Sequence, residues 1–229
     1  MKKWNNLPIE LQCNEIKTYY NSIKKKWFSR FLKRSFDLFV AFVFLLILIL
    51  PIGLISLVVI IDSKGPAFYK QERVTIYNKP FRIYKFRTMV VDADKIGSLV
   101  TTKNDNRITR VGKFLRKTKL DELPQLFNIF NGTMSFVGTR PEVRKYVDYY
   151  KPEYMATLLL RPGITSLASI KFKDESNIIE STNGQNIDEV YVKNILPQKM
   201  SYNLEYAMKF NLIKDMGIMW NTFFSMFKK

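Results

Sequence analysis

The chain has 229 residues, 47% of them hydrophobic, with a formal net charge of +17. It contains no histidine and a single cysteine, Cys13. This excludes a Ser-His-Asp triad, a phosphohistidine, a histidine metal site, an imidazole base, an internal disulfide and a cysteine zinc site. Any acid–base or nucleophilic work falls to carboxylates, Lys, Tyr, Ser, Thr or Cys13, with the carboxylates foremost. The length accommodates one domain with a sizeable core and an attached membrane element. So large a basic excess calls for an acidic partner: nucleic acid, an anionic membrane surface or a phosphate-rich substrate.

Residues 1–35 hold nine Lys and Arg against two Glu. Residues 36–61 then read FDLFVAFVFLLILILPIGLISLVVII, with Asp37 as the sole charge. A bilayer crossing takes about 20 apolar residues as a helix. A secretory signal is a poor reading, because the apolar core is too long, begins 35 residues in and is followed by Asp62-Ser63-Lys64, which is not a small-residue cleavage site. Hydropathy alone favours a single transmembrane anchor. Two features oppose it. Cations flank both ends, with Lys64, Lys70, Arg73, Lys79 and Arg82 beyond the run, so both ends favour the cytoplasmic side. Pro51, with Gly53 beside it, falls at the midpoint and removes a helix hydrogen bond. The preferred reading is a re-entrant helix-break-helix that enters the membrane and turns back at Pro51.

Beyond residue 61 the pattern is that of a compact domain. Lys64-Gly65-Pro66 is a turn signal. Two strand-like runs, 67–74 and 80–90, are joined by residues 75–79 and predict a hairpin. Residues 91–106 are polar and read as loop. Leu123, Leu126, Phe127 and Phe130 share one helical face that Asn131-Gly132 ends. Leu212, Met216, Met219, Trp220, Phe223 and Phe227 share another, before Lys228-Lys229. Such faces are ordinarily core, although this one also suits a helix lying in the membrane interface. The fold class is α+β, mainly helical, with a small β-hairpin.

The chemistry concentrates in Arg116-Lys117-Thr118-Lys119-Leu120-Asp121-Glu122-Leu123-Pro124-Gln125. Structurally, Asp121 reads as an N-cap and Glu122 as a first-turn acid complementing the helix dipole, with Pro124 also in the first turn. Functionally, a helix N-terminus would keep both carboxylates ionised and attract phosphate. Lys85, Arg87, Arg107, Arg116 and Arg140 supply cations around such a site. Two carboxylates among them suit a Mg2+-bound diphosphate, and an ionised Asp is a nucleophile toward phosphorus. Val137-Gly138-Thr139-Arg140-Pro141 and Arg161-Pro162-Gly163-Ile164-Thr165 each set an Arg beside a rigid Pro.

In order along the chain stand Lys33-Arg34-Ser35-Phe36-Asp37, Gly65-Pro66 with Phe68, Gln71 and Arg73, KFRTM at 85–89, and RITRVG at 107–112. LRKTKLDELPQLFNIFNGTMSFVGTRP at 115–141 and RPGIT at 161–165 follow. From about Lys33 onward the chain resembles the bacterial sugar transferases known as monotopic polyprenyl-phosphate phosphoglycosyl transferases. The resemblance implies a re-entrant helix and Mg2+-dependent transfer of a sugar 1-phosphate from a UDP-sugar to undecaprenyl phosphate, releasing UMP through a phosphosugar on aspartate. It assigns Asp121 as nucleophile and Glu122 to the metal or the shape of the site. Lys85, Arg87, Arg116 and Arg140 become phosphate-binding residues and Pro51 the membrane bend. It also implies a location on the cytoplasmic face of the bacterial inner membrane, among membrane lipid.

The chain departs from the family pattern at Thr139, where proline is common, and at Ser166 and Ser169, in the segment that often reads ITGLAQ. These changes bear on sugar identity more than on reaction type. Without the additional N-terminal membrane helices of larger relatives, the sequence reads as a minimal catalytic unit. The expected layout is a basic segment at 1–32, the membrane hairpin at 33–62 and the catalytic domain at 63–229. A nucleic-acid or anionic-lipid binder is disfavoured, because the cations are interleaved with specific Asp, Glu and Pro positions. A scaffold with a decayed site is disfavoured by the intact Asp121-Glu122 pair. The sugar and the oligomeric state, a homodimer included, stay open at this point.

Overall fold

The computed structural model describes residues 1–93, 105–172, 178 and 187–227. The fold is mostly helical, with a small antiparallel sheet and one long apolar helix near the N-terminus. Helix α1 spans Asn14–Lys25, and α2 follows at once over Trp27–Asp62. Strands β1 (Phe68–Thr75) and β2 (Lys79–Phe86) form a hairpin. Helix α3 (Arg110–Thr118), a 3-10 turn at Leu120–Glu122 and α4 (Gln125–Phe130) lead into β3 (Ser135–Val137). After α5 (Arg144–Val147) and a 3-10 helix at Pro152–Leu159, β4 (Gly163–Thr165) pairs parallel to β3. Helix α6 (Leu167–Lys171), α7 (Ile187–Val190), a π-helical turn at Tyr191–Ile195, α8 (Leu196–Lys209) and α9 (Leu212–Phe227) complete the order.

Helix α2 runs for 36 residues through Pro51. It is long and apolar enough to cross a membrane. It does not stand apart from the rest of the chain. Asp37, Ala41, Ile52 and Val59 are buried, and Leu45, Leu48 and Ile55 pack on the same body. These positions recur every three or four residues, so one stripe of α2 docks along most of its length. Leu48 bridges two clusters. One is the main core, and the other joins Ile52 and Val59 to Phe86 of β2 and Leu115 of α3. The remaining faces present Phe39, Leu50, Leu54 and Ile61, each more than 60% exposed.

Polar bonds pin both ends of α2. Lys33 pairs with Asp215 of α9 at 2.5 Å, Arg34 donates to the carbonyls of Ile129 and Phe130, and the Phe136 amide donates to Asp37. At the other end the Val111 amide donates to Asp62. The Arg87 guanidinium, itself buried, donates to the carbonyls of Val59, Ser63 and Lys64 and to the Ser63 hydroxyl. Gly65 has φ +129°, and a Cβ there would lie 2.1 Å from Arg87 Nη1, so the turn and the guanidinium require glycine.

The expected hairpin forms, with Phe68 opposite Phe86 and Thr75 opposite Lys79. Its second strand ends at Phe86, short of residue 90. Met89 instead makes an isolated bridge to Ile108, and the Thr109 amide bonds to the Thr88 carbonyl, which directs the chain into α3. Of the 91–106 loop expectation, residues 94–104 lie outside the described residues.

Two helical faces differ from their patterns. In α4, Gln125, Leu126, Asn128 and Ile129 are buried, whereas Phe127 and Phe130 are exposed. Phe130 stacks on Phe42 of α2, with ring centroids 6.4 Å apart, so this aromatic edge continues the apolar surface of α2. In α9, Asp215 and Ile218 face inward while Met216, Trp220 and Phe223 face outward. The interior at α9 is occupied by Tyr206, whose hydroxyl donates to Asp215. The basic segment 1–32 joins the same body, burying Leu7, Leu11, Ile16, Tyr20 and Ile23 in the main core.

Candidate active site

The carboxylate pair sits on a reversal between two helices. Thr109 caps α3 by accepting from the Gly112 amide, and Lys119 ends it in the left-handed conformation at φ 59°. The chain then makes the tight turn Leu120–Glu122 before α4 begins at Gln125. Asp121 is therefore not an N-cap. That position belongs to Pro124, because the left-handed Lys119 starts a separate 3-10 turn. Leu120 and Leu123, which bracket the pair, pack against the cluster of Ile52, Val59, Phe86 and Leu115. The carboxylates are thus held beside the C-terminal half of α2. The sequence pattern gave no role to Leu120 and set Leu123 on the face of the following helix; their apolar spacing of three residues was the available signal for the pair.

The two acids have opposite electrostatics. Asp121 is 8% exposed, and its Oδ1 is buried with no hydrogen-bond partner among the described residues. Burial raises its carboxyl above the ordinary value of 3.8; Lys85 opposes this, the Glu122 charge adds to it, and Lys119 and Arg116 oppose it further. The helix N-terminus expected to keep Asp121 ionised is not what surrounds it; burial, opposed by nearby cations, sets its carboxyl. Glu122 accepts a hydrogen bond from Lys85 Nζ at 2.8 Å. Burial would raise its carboxyl, but Lys85, Arg140 and Lys119 outweigh it and bring Glu122 to about 2. Neighbouring carboxyls driven in opposite directions mark a division of roles between them.

The expected cations are only partly gathered. Lys85 from the end of β2, Arg116 from α3 and Arg140 from the segment after β3 all act electrostatically on one or both acids. Arg116 Nε also donates to Thr88 Oγ1 at 2.8 Å, a positioning contact that the pattern did not reveal. Arg140 is delivered by β3, whose close pairing with β4 leaves no room at Gly138, where a Cβ would meet the Arg161 carbonyl at 2.4 Å. Arg87 lies elsewhere: its hydrogen bonds among the described residues go to the end of α2. Arg107 is bidentate to Asp105, at 2.8 and 2.6 Å, and reaches the Ala93 carbonyl. Pro51 lies inside α2, which is helical on both sides of it, so the helix break expected there does not form.

Among the described residues no three His, Cys, Asp or Glu side chains converge as a metal cage. What exists is one orphaned carboxylate oxygen on Asp121, with Glu122 held by Lys85. That donor set fits a cation such as Mg2+, which takes one or two carboxylates and completes its shell with substrate phosphate and water.

A profile of the bacterial sugar transferase family matches residues 28–229. A proposed undecaprenyl-phosphate N-acetylgalactosaminyl 1-phosphate transferase of Bacillus subtilis (strain 168) is 39% identical over 154 residues, covering 66% of this chain and 84% of that protein. The UDP-N-acetylgalactosamine-undecaprenyl-phosphate N-acetylgalactosaminephosphotransferase of Aeromonas hydrophila is 42% identical over 61% of this chain and 34% of its own length. The UDP-glucose:undecaprenyl-phosphate glucose-1-phosphate transferase of Klebsiella pneumoniae is 37% identical over 85% of this chain and 40% of its own length. The last two relatives thus extend well beyond the matched region. With the family profile spanning residues 28–229, almost the whole chain, the protein belongs to the bacterial sugar transferase family.

Proposed function

We propose that the chain transfers a sugar 1-phosphate from a UDP-sugar to undecaprenyl phosphate at the cytoplasmic face of the bacterial inner membrane. The observation that supports this most is the placement of Asp121. It is a buried carboxylate with an unpartnered oxygen, set among cations and fixed by Leu120 and Leu123 against an apolar helix whose other faces are exposed. A soluble donor and a lipid acceptor meet only at such a boundary.

In this reading an Asp121 carboxylate oxygen attacks the phosphorus that bears the sugar. The bond from that phosphorus to the bridging oxygen breaks, and UMP leaves with the electron pair. An oxygen of undecaprenyl phosphate then attacks the same phosphorus, forming the diphosphate-linked sugar and returning the Asp121 carboxylate. Burial raises the energy of the ionised carboxylate, which favours its attack. Lys85, Arg116 and Arg140 offset charge on the phosphoryl oxygens. Glu122 stays ionised and fixes Lys85. Mg2+, held by Asp121 with Glu122 adjacent, would supply charge neutralisation on the diphosphate. Arg87 serves the same centre indirectly, by tying the end of α2 to the strand that presents Lys85.

The docking of α2 against the domain along most of its length supports a monotopic arrangement in place of a spanning anchor. Its buried stripe from Asp37 to Val59 would measure about 33 Å if straight, close to the roughly 30 Å of a hydrocarbon core. A spanning α2 would carry the packed domain into lipid with it.

Purified protein incubated with Mg2+ and UDP-sugar, without acceptor, should gain the mass of a sugar phosphate, and Asp121→Asn should not. Absence of the adduct in wild type that still releases UMP with undecaprenyl phosphate present would remove the covalent step. A panel of UDP-sugars in the same UMP-release assay identifies the donor.

A further inference from the structure

A second site lies at the other end of α2. A cavity of about 690 Å³ opens there, lined by Lys2, Arg30, Lys33, Arg34 and Arg161, with Asp37 as its single carboxylate. Its volume is within the roughly 300–1,000 Å³ of small-molecule pockets. None of Lys85, Arg116, Asp121, Glu122 and Arg140 lines it.

The cations of this cavity are incompletely answered. Lys33 is paired with Asp215, and Asp37 already accepts from the Phe136 amide. Arg34 donates to the Ile129 and Phe130 carbonyls, and Arg161 Nε donates to the Gly132 carbonyl at 2.7 Å. Carbonyls accept hydrogen bonds but leave both charges in place; Arg34 and Arg161 are near enough to repel each other, with Asp37 offsetting part of the charge on Arg34. Arg30 is more exceptional: half-buried as a side chain, it has an Nε that is shut off from solvent with no hydrogen-bond partner among the described residues. An N–H donor shut off from water without an acceptor is unfavourable, so an anion's oxygen in this cavity would be favoured. The rim supplies the second clue. Trp27 and Phe31, also lining residues, are 65% and 62% exposed, just before the apolar run begins. Aromatic side chains there are typical of the membrane interface.

We infer that this cavity holds the phosphodiester head group of an anionic membrane phospholipid, with Arg30, Arg34 and Arg161 on its phosphate oxygens and its acyl chains leaving over Trp27 and Phe31. Guanidinium groups suit phosphate because their planar forks give paired, charge-assisted bonds. Basic pockets on the cytoplasmic side of membranes bind anionic head groups for the same reason. The lipid would fix the N-terminal end of α2 at the bilayer surface. The inference rests on the membrane part of the proposed function and not on the transfer reaction.

The test measures binding of the full chain in detergent to phosphatidylglycerol and to phosphatidylcholine, by native mass spectrometry, with flotation on liposomes of each lipid alongside. Wild type should prefer phosphatidylglycerol. Arg30→Gln should weaken that binding by at least about ten-fold, as expected for loss of a charge-assisted bond, and Arg30→Lys should restore most of it. Lys117→Gln, a charge-matched control on α3, should weaken it no more than the roughly five-fold attached to any surface cation. Equal effects of Arg30→Gln and Lys117→Gln, with flotation intact, would overturn the site while leaving the membrane reading standing. Failure of wild type to float on either liposome would overturn both. Inorganic phosphate that stabilises wild type as much as phosphatidylglycerol does, and not Arg30→Gln, would show a free-anion site and overturn the lipid assignment.

Discussion

Replacing Glu122 with Gln tests the electrostatic reading of the pair through stability instead of turnover. The wild-type carboxyl stands at about 2 against an ordinary 4.5, with its side chain 18% exposed and Lys85 2.8 Å away. A difference of that size corresponds to roughly 3 kcal/mol of folding stability at neutral pH. Partial exposure of both partners allows solvent screening, which brings the expected loss nearer to about 2 kcal/mol. Because the folded value is depressed, this stability is present above pH 4.5 and is lost as pH falls toward 2. Glu122→Gln should therefore melt below wild type by about 4–8 °C at pH 7. The gap should persist to about pH 5 and shrink to less than half by about pH 3. Lys85→Met should cost a similar amount, and the double variant much less than the sum. Differential scanning fluorimetry in one detergent across the pH series measures all three. Equal melting of Glu122→Gln and wild type at pH 7, or a gap independent of pH, would refute the coupling of Glu122 to Lys85.

Asp121 behaves in the opposite sense. Its raised carboxyl means that folding favours the protonated form, a stability that is lost as pH rises through the folded value. Asp121→Asn should thus melt above wild type at pH 7 while transferring nothing, and the acid limb of kcat/KM should lie above the 3.8 of an ordinary aspartate. At the other end of the machinery, Gly65→Ala places a Cβ against Arg87 at a backbone angle that L-residues rarely adopt. It should destabilise by about 2–3 kcal/mol, read by denaturant titration, and lower activity through the displaced end of α2. Leu54→Glu changes a 64% exposed position on the free side of α2. Its melting in detergent should be unchanged, whereas partition onto liposomes should fall by about a hundred-fold, in line with roughly 2.5–3.5 kcal/mol for a charge in the apolar layer.

The sequence by itself determined a good deal. Absence of histidine put the carboxylates first among the candidate groups. The apolar run announced a long apolar helix, and alternation announced the hairpin. The ordered motifs announced the family, including Asp121 and Glu122 together. These features are local, written in residue type and short spacing. The tertiary structure decided the rest. The left-handed Lys119 is a backbone event that no side-chain pattern encodes, and it moved Asp121 from a helix cap into a buried turn. Arg87 and Arg116 look alike in the sequence, but the first is drawn to the carbonyls at the end of α2 and the second stays beside the acids. Phe127 and Phe130 match a core pattern yet face outward, because the apolar surface of α2 beside them offers another place for aromatic side chains. Opposite shifts on two adjacent carboxyls arise from burial and from charges brought across the fold from β2 and the segment after β3. Burial and long-range charge are properties of the packed chain, so only the packed chain could assign them.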